Sequence, residues 1–213
     1  MHGIVFDIGL GAGLAAACGM RPFLPLLLAG TLGSAGALDV AFAHEGFGFL
    51  QEGWWLLAVT VALVVSYALQ VLLDVAPMAE RGSPRSHAGR PALGLSASAL
   101  AGIAYGGGAL LFAGTLAAHR DAWWPGIVAG LAAAWLADRV VGPIVFRARA
   151  RLSDRAAREA LTVYLDAAAL AAAGLVCLLH PLGYVLLAVL VWFLARVRAR
   201  ARDKYAGLRV LRR

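Results

Sequence analysis

The chain predicts an all-α membrane protein, a compact bundle of about six transmembrane helices, on three observations. Of its 213 residues, 62% are hydrophobic and only 15% charged, far from the roughly 45–50% apolar and about 25% charged typical of soluble domains. The apolar residues gather into six runs, most of them near the ~20 residues that cross a hydrocarbon layer of ~30 Å. Finally, 16 of the 19 basic residues sit in three segments that alternate with those runs. No room is left for a soluble domain, so residues 1–195 read as a single transmembrane helical domain and 196–213 as a basic cytoplasmic tail.

The first run extends from about Ile4 to Leu32 and holds Arg21-Pro22 near its middle. A charge at mid-bilayer costs about 2.5–3.5 kcal/mol on insertion scales. Pro22 and Pro25 lack the N–H that a continuous helix needs, so the helix is expected to break at Arg21-Pro22. No lysine or arginine precedes the run, and Arg21-Pro22 interrupts it, so it is read as a retained helix rather than a cleaved leader. The other runs are Trp54 to Ala76, Ala92 to Ala118, Ala122 to Phe146, Ala160 to Leu179 and Leu182 to Ala195. The last covers only about 21 Å at 1.5 Å per residue, which requires Arg196 and Arg198 to snorkel to the headgroups.

Orientation follows from the arginines. Arg81, Arg85 and Arg90 follow the second run, Arg147, Arg149, Arg151, Arg155 and Arg158 follow the fourth, and eight basic residues from Arg196 to Arg213 follow the sixth. These segments are expected in the cytoplasm, which with six crossings puts both termini there. The intervening loops hold Asp39, Glu45 and Glu52 but only one basic residue, Arg120, and the Trp54-Trp55 and Trp123-Trp124 pairs open runs on that side, where indoles favour the membrane–water interface. Glycines four apart (Gly9 and Gly13, Gly102 and Gly106, Gly126 and Gly130) are expected at close helix contacts. Leu26 to Ala35 echoes Leu110 to His119, a weak internal repeat that an odd number of spans per half would invert.

A net charge of +7 suits anionic lipid headgroups at the cytoplasmic face better than nucleic acid, because the charges adjoin the spans. Arginine at 18 to one lysine, no asparagine and abundant alanine resemble GC-rich bacterial coding, so a multi-pass protein of the bacterial inner membrane is expected. Cys18 and Cys177 lie inside apolar runs without metal-ligand spacing and read as packing residues. The five histidines are scattered, and no zinc-protease, nucleophile-elbow, dithiol or phosphate-loop motif occurs. Neither an enzyme nor a metal or other cofactor is therefore expected.

The candidate site rests on polar residues in lipid-facing lengths of chain. Arg21 heads the set with Pro22 and Pro25. Asp166 lies about 9 Å inside the fifth run, with Thr162 one turn earlier, and Asp74 closes the second run four residues after Gln70. Asp138 and Arg139 are secondary candidates, adjacent near the inner end of the fourth run and as readily an interfacial pair. Together they predict a polar vestibule between the first, second and fifth spans, where a carboxylate could carry a proton or cation and Arg21 could attract an anion.

The stretch Gly19-Met20-Arg21-Pro22-Phe23-Leu24-Pro25, the ending Asp74-Val75-Ala76-Pro77, Arg147 to Ser153, Asp166 and His180-Pro181 together resemble the bacterial membrane family catalogued as domain of unknown function 4126. The resemblance covers nearly the whole chain. It implies the multi-span topology and marks Arg21, Asp74, Pro77 and Asp166, while Gln70 and Leu165 stand where the family pattern has acidic residues, which weakens any scheme needing paired carboxylates. The family implies no substrate. Two functions follow: a small transporter or permease taking a small molecule or ion, or a non-transporting membrane assembly or partner protein whose buried charges fix helix register. A homo-oligomer is compatible with either.

Overall fold

The computed structural model describes residues 3–38, 40, 42, 46–79, 91–118, 122–152 and 154–210, with side chains described except at 70–79, 91–97, 155 and 200–210. Among the described residues are seven α-helices and no strand: α1 (Ile4–Met20), α2 (Phe23–Ala35), α3 (Gly53–Ala79), α4 (Pro91–Ala118), α5 (Trp124–Arg151), α6 (Arg155–Leu178) and α7 (Leu182–Val210), with a 3-10 turn at Gly48–Gln51. Four stretches are long and apolar enough to cross a membrane: Ser98–Ala118, Trp124–Arg151, Ala156–Leu178 and Leu182–Ala199. Ile4–Met20, Phe23–Ala35 and Gly53–Leu69 are shorter apolar helices.

The first apolar run does break where its chemistry requires. Arg21 closes α1 in an extended conformation (φ −151°, ψ 116°), its N–H bonded to Ala17 O, and Phe23 starts α2 after Pro22. Pro22 has no N–H for Cys18 O and Pro25 none for Arg21 O, whereas Pro25 is tolerated within the first turn of α2 because donors there have no helical partner.

The break reverses the chain. At its start α1 touches the α6–α7 turn: Tyr184 Oη donates to Val5 O, the Phe6 and His180 rings meet edge to face, and Gly9 lies against His180 O. Farther along, Gly13 packs on Val176, Gly19 on Ala134, and Arg21 reaches Asp166. Then α2 climbs back: Leu26 covers Gly107, Leu28 lies over Gly174, Gly30 abuts Leu50 and Leu56, and the following loop puts Phe42 against Gly114 and Phe47 against Trp123. Gly36 ends the return limb in the left-handed region (φ 61°), with Ala37 N–H donating to Leu32 O, the helix stop for which glycine is suited. The 17 residues of α1 and 13 of α2 rise only about 25 and 20 Å. They form a helical hairpin, open at one end of the bundle and with Arg21 at its tip.

Two expectations change with this. Because α1 and α2 go in and come back, the start of α1 and the end of α7 lie at opposite ends of the bundle, whereas six successive crossings would leave them at the same end. The matching segments Leu26 to Ala35 and Leu110 to Ala118 run in the same direction toward the α4–α5 connection, so the echo is not inverted. Helix outlasts the last apolar run, α7 continuing from Leu182 to Val210. α5 likewise runs past Phe146 to Arg151, through Pro143, because alanine and arginine favour helix regardless of where lipid ends.

α1 is the axis of the fold. Gly9 to Gly19 are all buried, with α4, α5, α6 and α7 packed around them. In a bilayer small residues permit this approach, and Gly9, Gly13, Gly126 and Gly130 all meet a neighbouring helix closely. Gly102 and Gly106 do not, for they face open space, so that pair was misjudged from spacing alone. Leu14, Leu111, Val176, Phe42 and Leu50 fill the core around Cys18 and Cys177, whose thiols are buried and free. Trp54, Trp123 and Trp124 stay exposed at the hairpin's open end, as an aromatic girdle would.

Candidate functional site

A cavity of about 250 Å³ surrounds the hairpin tip. Five parts of the fold meet there: Gly19 to Leu24 at the tip, Leu63, Ser66 and Tyr67 of α3, Leu100, Ala101 and Ala104 of α4, Asp138 of α5 and Asp166 of α6. Asp166 lies twelve residues before the end of α6 at Leu178 and Asp138 fourteen after the start of α5 at Trp124. At 1.5 Å per residue both stand roughly 20 Å below the open end.

The charged centre is the pair of Arg21 and Asp166. Arg21 Nε lies 2.8 Å from Asp166 Oδ1, and the side chains keep 19% and 11% of their surface exposed. The contact is ionic rather than a directed hydrogen bond: Arg21 Nε and Asp166 Oδ2 are buried with no hydrogen-bond partner. The remaining guanidinium nitrogens also make no hydrogen bond to the protein among the described residues. Each half of the pair thus keeps unused hydrogen-bonding capacity, and both residues line the cavity.

Asp138 is held differently. Tyr105 Oη, 33 residues away on α4, donates to Asp138 Oδ2 at 2.7 Å, so this carboxylate has a neutral donor rather than its neighbour in sequence. Arg139 is exposed on the other side of α5, its guanidinium 5.5 Å over the Trp135 ring, and does not line the cavity. Pro22 lines the cavity, whereas Pro25 is fully buried beside it in α2. Asp74 belongs to α3, but its side chain, like that of Gln70, lies outside the described residues, as do Arg81, Arg85, Arg90 and Arg120. One turn below Asp166, Thr162 receives a hydrogen bond from Arg149 Nη2 at 2.6 Å and donates to Arg158 O at 3.1 Å.

Local structure adds two opposed dipoles. The carbonyl end of α1 and the amide end of α2 meet at Arg21-Pro22, and α2 has no side-chain cap. Helix termini leave unpaired donors at the start and acceptors at the end, carrying about half a charge of either sign. Sequence reasoning passed over Tyr105, Ser66, Tyr67 and Asp7. Asp7 is 5% exposed within α1; its place three residues into the first apolar run disguised it as interfacial.

Residues 8–80 match the family described as Domain of unknown function (DUF4126). The match contains Arg21, Pro22, Pro25 and Asp74 and ends before Asp138, Arg139 and Asp166, so it spans less of the chain than the resemblance in sequence. No curated protein and no solved structure matches the chain.

Proposed function

We propose that this chain, whose residues 8–80 match the family of the domain of unknown function 4126, is a small membrane transporter or permease whose site is the cavity at the hairpin tip. The observation that carries the reading is the Arg21–Asp166 pair, set at a helix break where five parts of the fold converge. Broken helices whose ends face a polar cavity deep in the bundle are a recurrent transporter arrangement, and ionisable residues held at that depth are by default functional.

In this reading α3 to α7 cross the bilayer, and α1 with α2 enters from one face without crossing. Arg147, Arg149, Arg151, Arg158, Arg196 and Arg198 belong to the end opposite the hairpin's mouth, which the positive-inside rule assigns to the cytoplasm. The start of α1 is then external. Cysteines introduced at Gly3 and at Arg198, both exposed, are expected to react with a membrane-impermeant maleimide from opposite faces of oriented vesicles. Labelling of both from one face would restore six crossings. The buried native thiols keep the background low.

The competing reading, a non-transporting partner protein, draws on the same pair as a pin that fixes helix register. The two separate on the double variant Arg21→Met with Asp166→Leu, which removes both charges and keeps apolar bulk. Solute flux into vesicles carrying the purified protein is expected to vanish in the folded double variant. Flux at the wild-type rate would reduce the pair to a pin, and transport would need another site.

A further inference from the structure

Resting on that reading of the cavity, we infer that its ligand is a small zwitterion, a molecule bearing one ammonium and one carboxylate group close together on a short aliphatic body. The argument is one of unmet valences. Asp166 Oδ2 is buried without a partner, no described residue takes the outer guanidinium nitrogens of Arg21, and both residues line the cavity. These opposite charges are side by side, 2.8 Å apart at their nearest atoms, so a ligand that satisfies both carries its own opposite charges at short range.

The helix break repeats the pattern. The uncapped amide end of α2 and Arg21 together favour a carboxylate, and Asp138, whose one hydrogen bond comes from neutral Tyr105, joins Asp166 in favouring an ammonium. Among the described residues a plain anion would meet two carboxylates against one guanidinium. A plain cation would leave the guanidinium edge and the first amides of α2 unmatched, and unpaired polar groups in a low-dielectric site are costly. The rest of the wall is apolar, with Met20, Phe23, Leu24, Leu63 and Leu100, which suits an aliphatic body. A volume of about 250 Å³ equals about eight waters at ~30 Å³ each, enough for a ligand of amino-acid size and short of the drug-sized pockets that begin near 300 Å³.

The test uses wild-type protein in lipid nanodiscs and three probes of similar shape: valine, 3-methylbutanoate (valine without its ammonium) and 2-methylpropylamine (valine without its carboxylate). Titration calorimetry is expected to show valine binding at least roughly tenfold tighter than either half, a difference of about 1.4 kcal/mol. Asp138→Asn, which keeps the shape and the tyrosine contact, is expected to weaken valine while strengthening 3-methylbutanoate, which is relieved of a like charge. Equal binding of valine and either half, or no valine binding by folded protein, overturns the inference. Valine that binds as expected but does not enter vesicles supports the ligand class and sinks transport instead. Flux of 3-methylbutanoate or 2-methylpropylamine in preference to valine leaves transport standing and overturns the zwitterion.

Discussion

Replacing Asp166 with asparagine is expected to destabilise the protein by about 3 kcal/mol, and Arg21→Ala by a similar amount, because each strands the other's charge in a mostly buried site. Breaking a buried pair from one side costs about 3–5 kcal/mol. The lower figure applies because Arg21 retains 19% of its side-chain surface and reaches some water. The double variant Arg21→Met with Asp166→Leu is expected to recover nearly all of that loss, since an apolar pair of similar volume is often neutral or better than the ions it replaces. Denaturant unfolding in mild detergent, followed by tryptophan fluorescence, reads all three. If the double variant is as unstable as the singles, the two charges act separately and the hairpin tip is held by something else.

The second large effect belongs to glycine. A Cβ on Gly19 would land on the carbonyl of Ala134, and one on Gly183 on the carbonyl of Gly9; both obstacles are backbone, which cannot rotate aside. Gly19→Ala and Gly183→Ala are therefore expected at or beyond the upper end of the roughly 1–3 kcal/mol that overpacking costs. Gly106→Ala is the control: nothing lies within 4 Å of the added methyl, and removing a helical glycine is worth about 0.5–1 kcal/mol in its favour. The same unfolding assay should rank Gly106→Ala at or above wild type and the other two well below it. Equal midpoints for Gly19→Ala and Gly106→Ala would mean that α1 and α5 are not in that contact. Because Gly19 is two residues from Arg21, its variant should also part the ion pair.

The chain wrote some of this plainly and some not at all. Arg21-Pro22-Phe23-Leu24-Pro25 announces a break through local chemistry alone: a charge that lipid rejects and two residues without N–H groups. It does not announce a reversal. A run from Ile4 to Leu32 is long enough for one crossing or for two short limbs, and hydropathy measures length without direction. Direction comes from Gly9 and Gly13 meeting the α6–α7 turn some 170 residues later, a relation with no local trace. Asp166 was legible because about three polar-free turns follow it; its pairing with Arg21 has no local trace, as 145 positions separate the two. Asp138 was misread toward adjacent Arg139 because a helix turns neighbours about 100° apart, and the tyrosine that bonds it sits on another helix. The ends of α5 and α7 were drawn where apolar residues stop, yet helix propensity continues through Ala and Arg.

The position of α1 also bears on how the molecule is made. It is synthesised before α4, α5, α6 and α7, yet these are its walls. A limb rich in glycine, carrying Asp7 and ending on Arg21, gains little by resting in lipid while it waits. Its docking must therefore come late, after the other helices have closed a slot for it, and the long loop closures involved make that step slow. Until then the nascent protein exposes both an empty groove and an unpaired arginine, which makes assembly, rather than the finished fold, the stage most open to quality control.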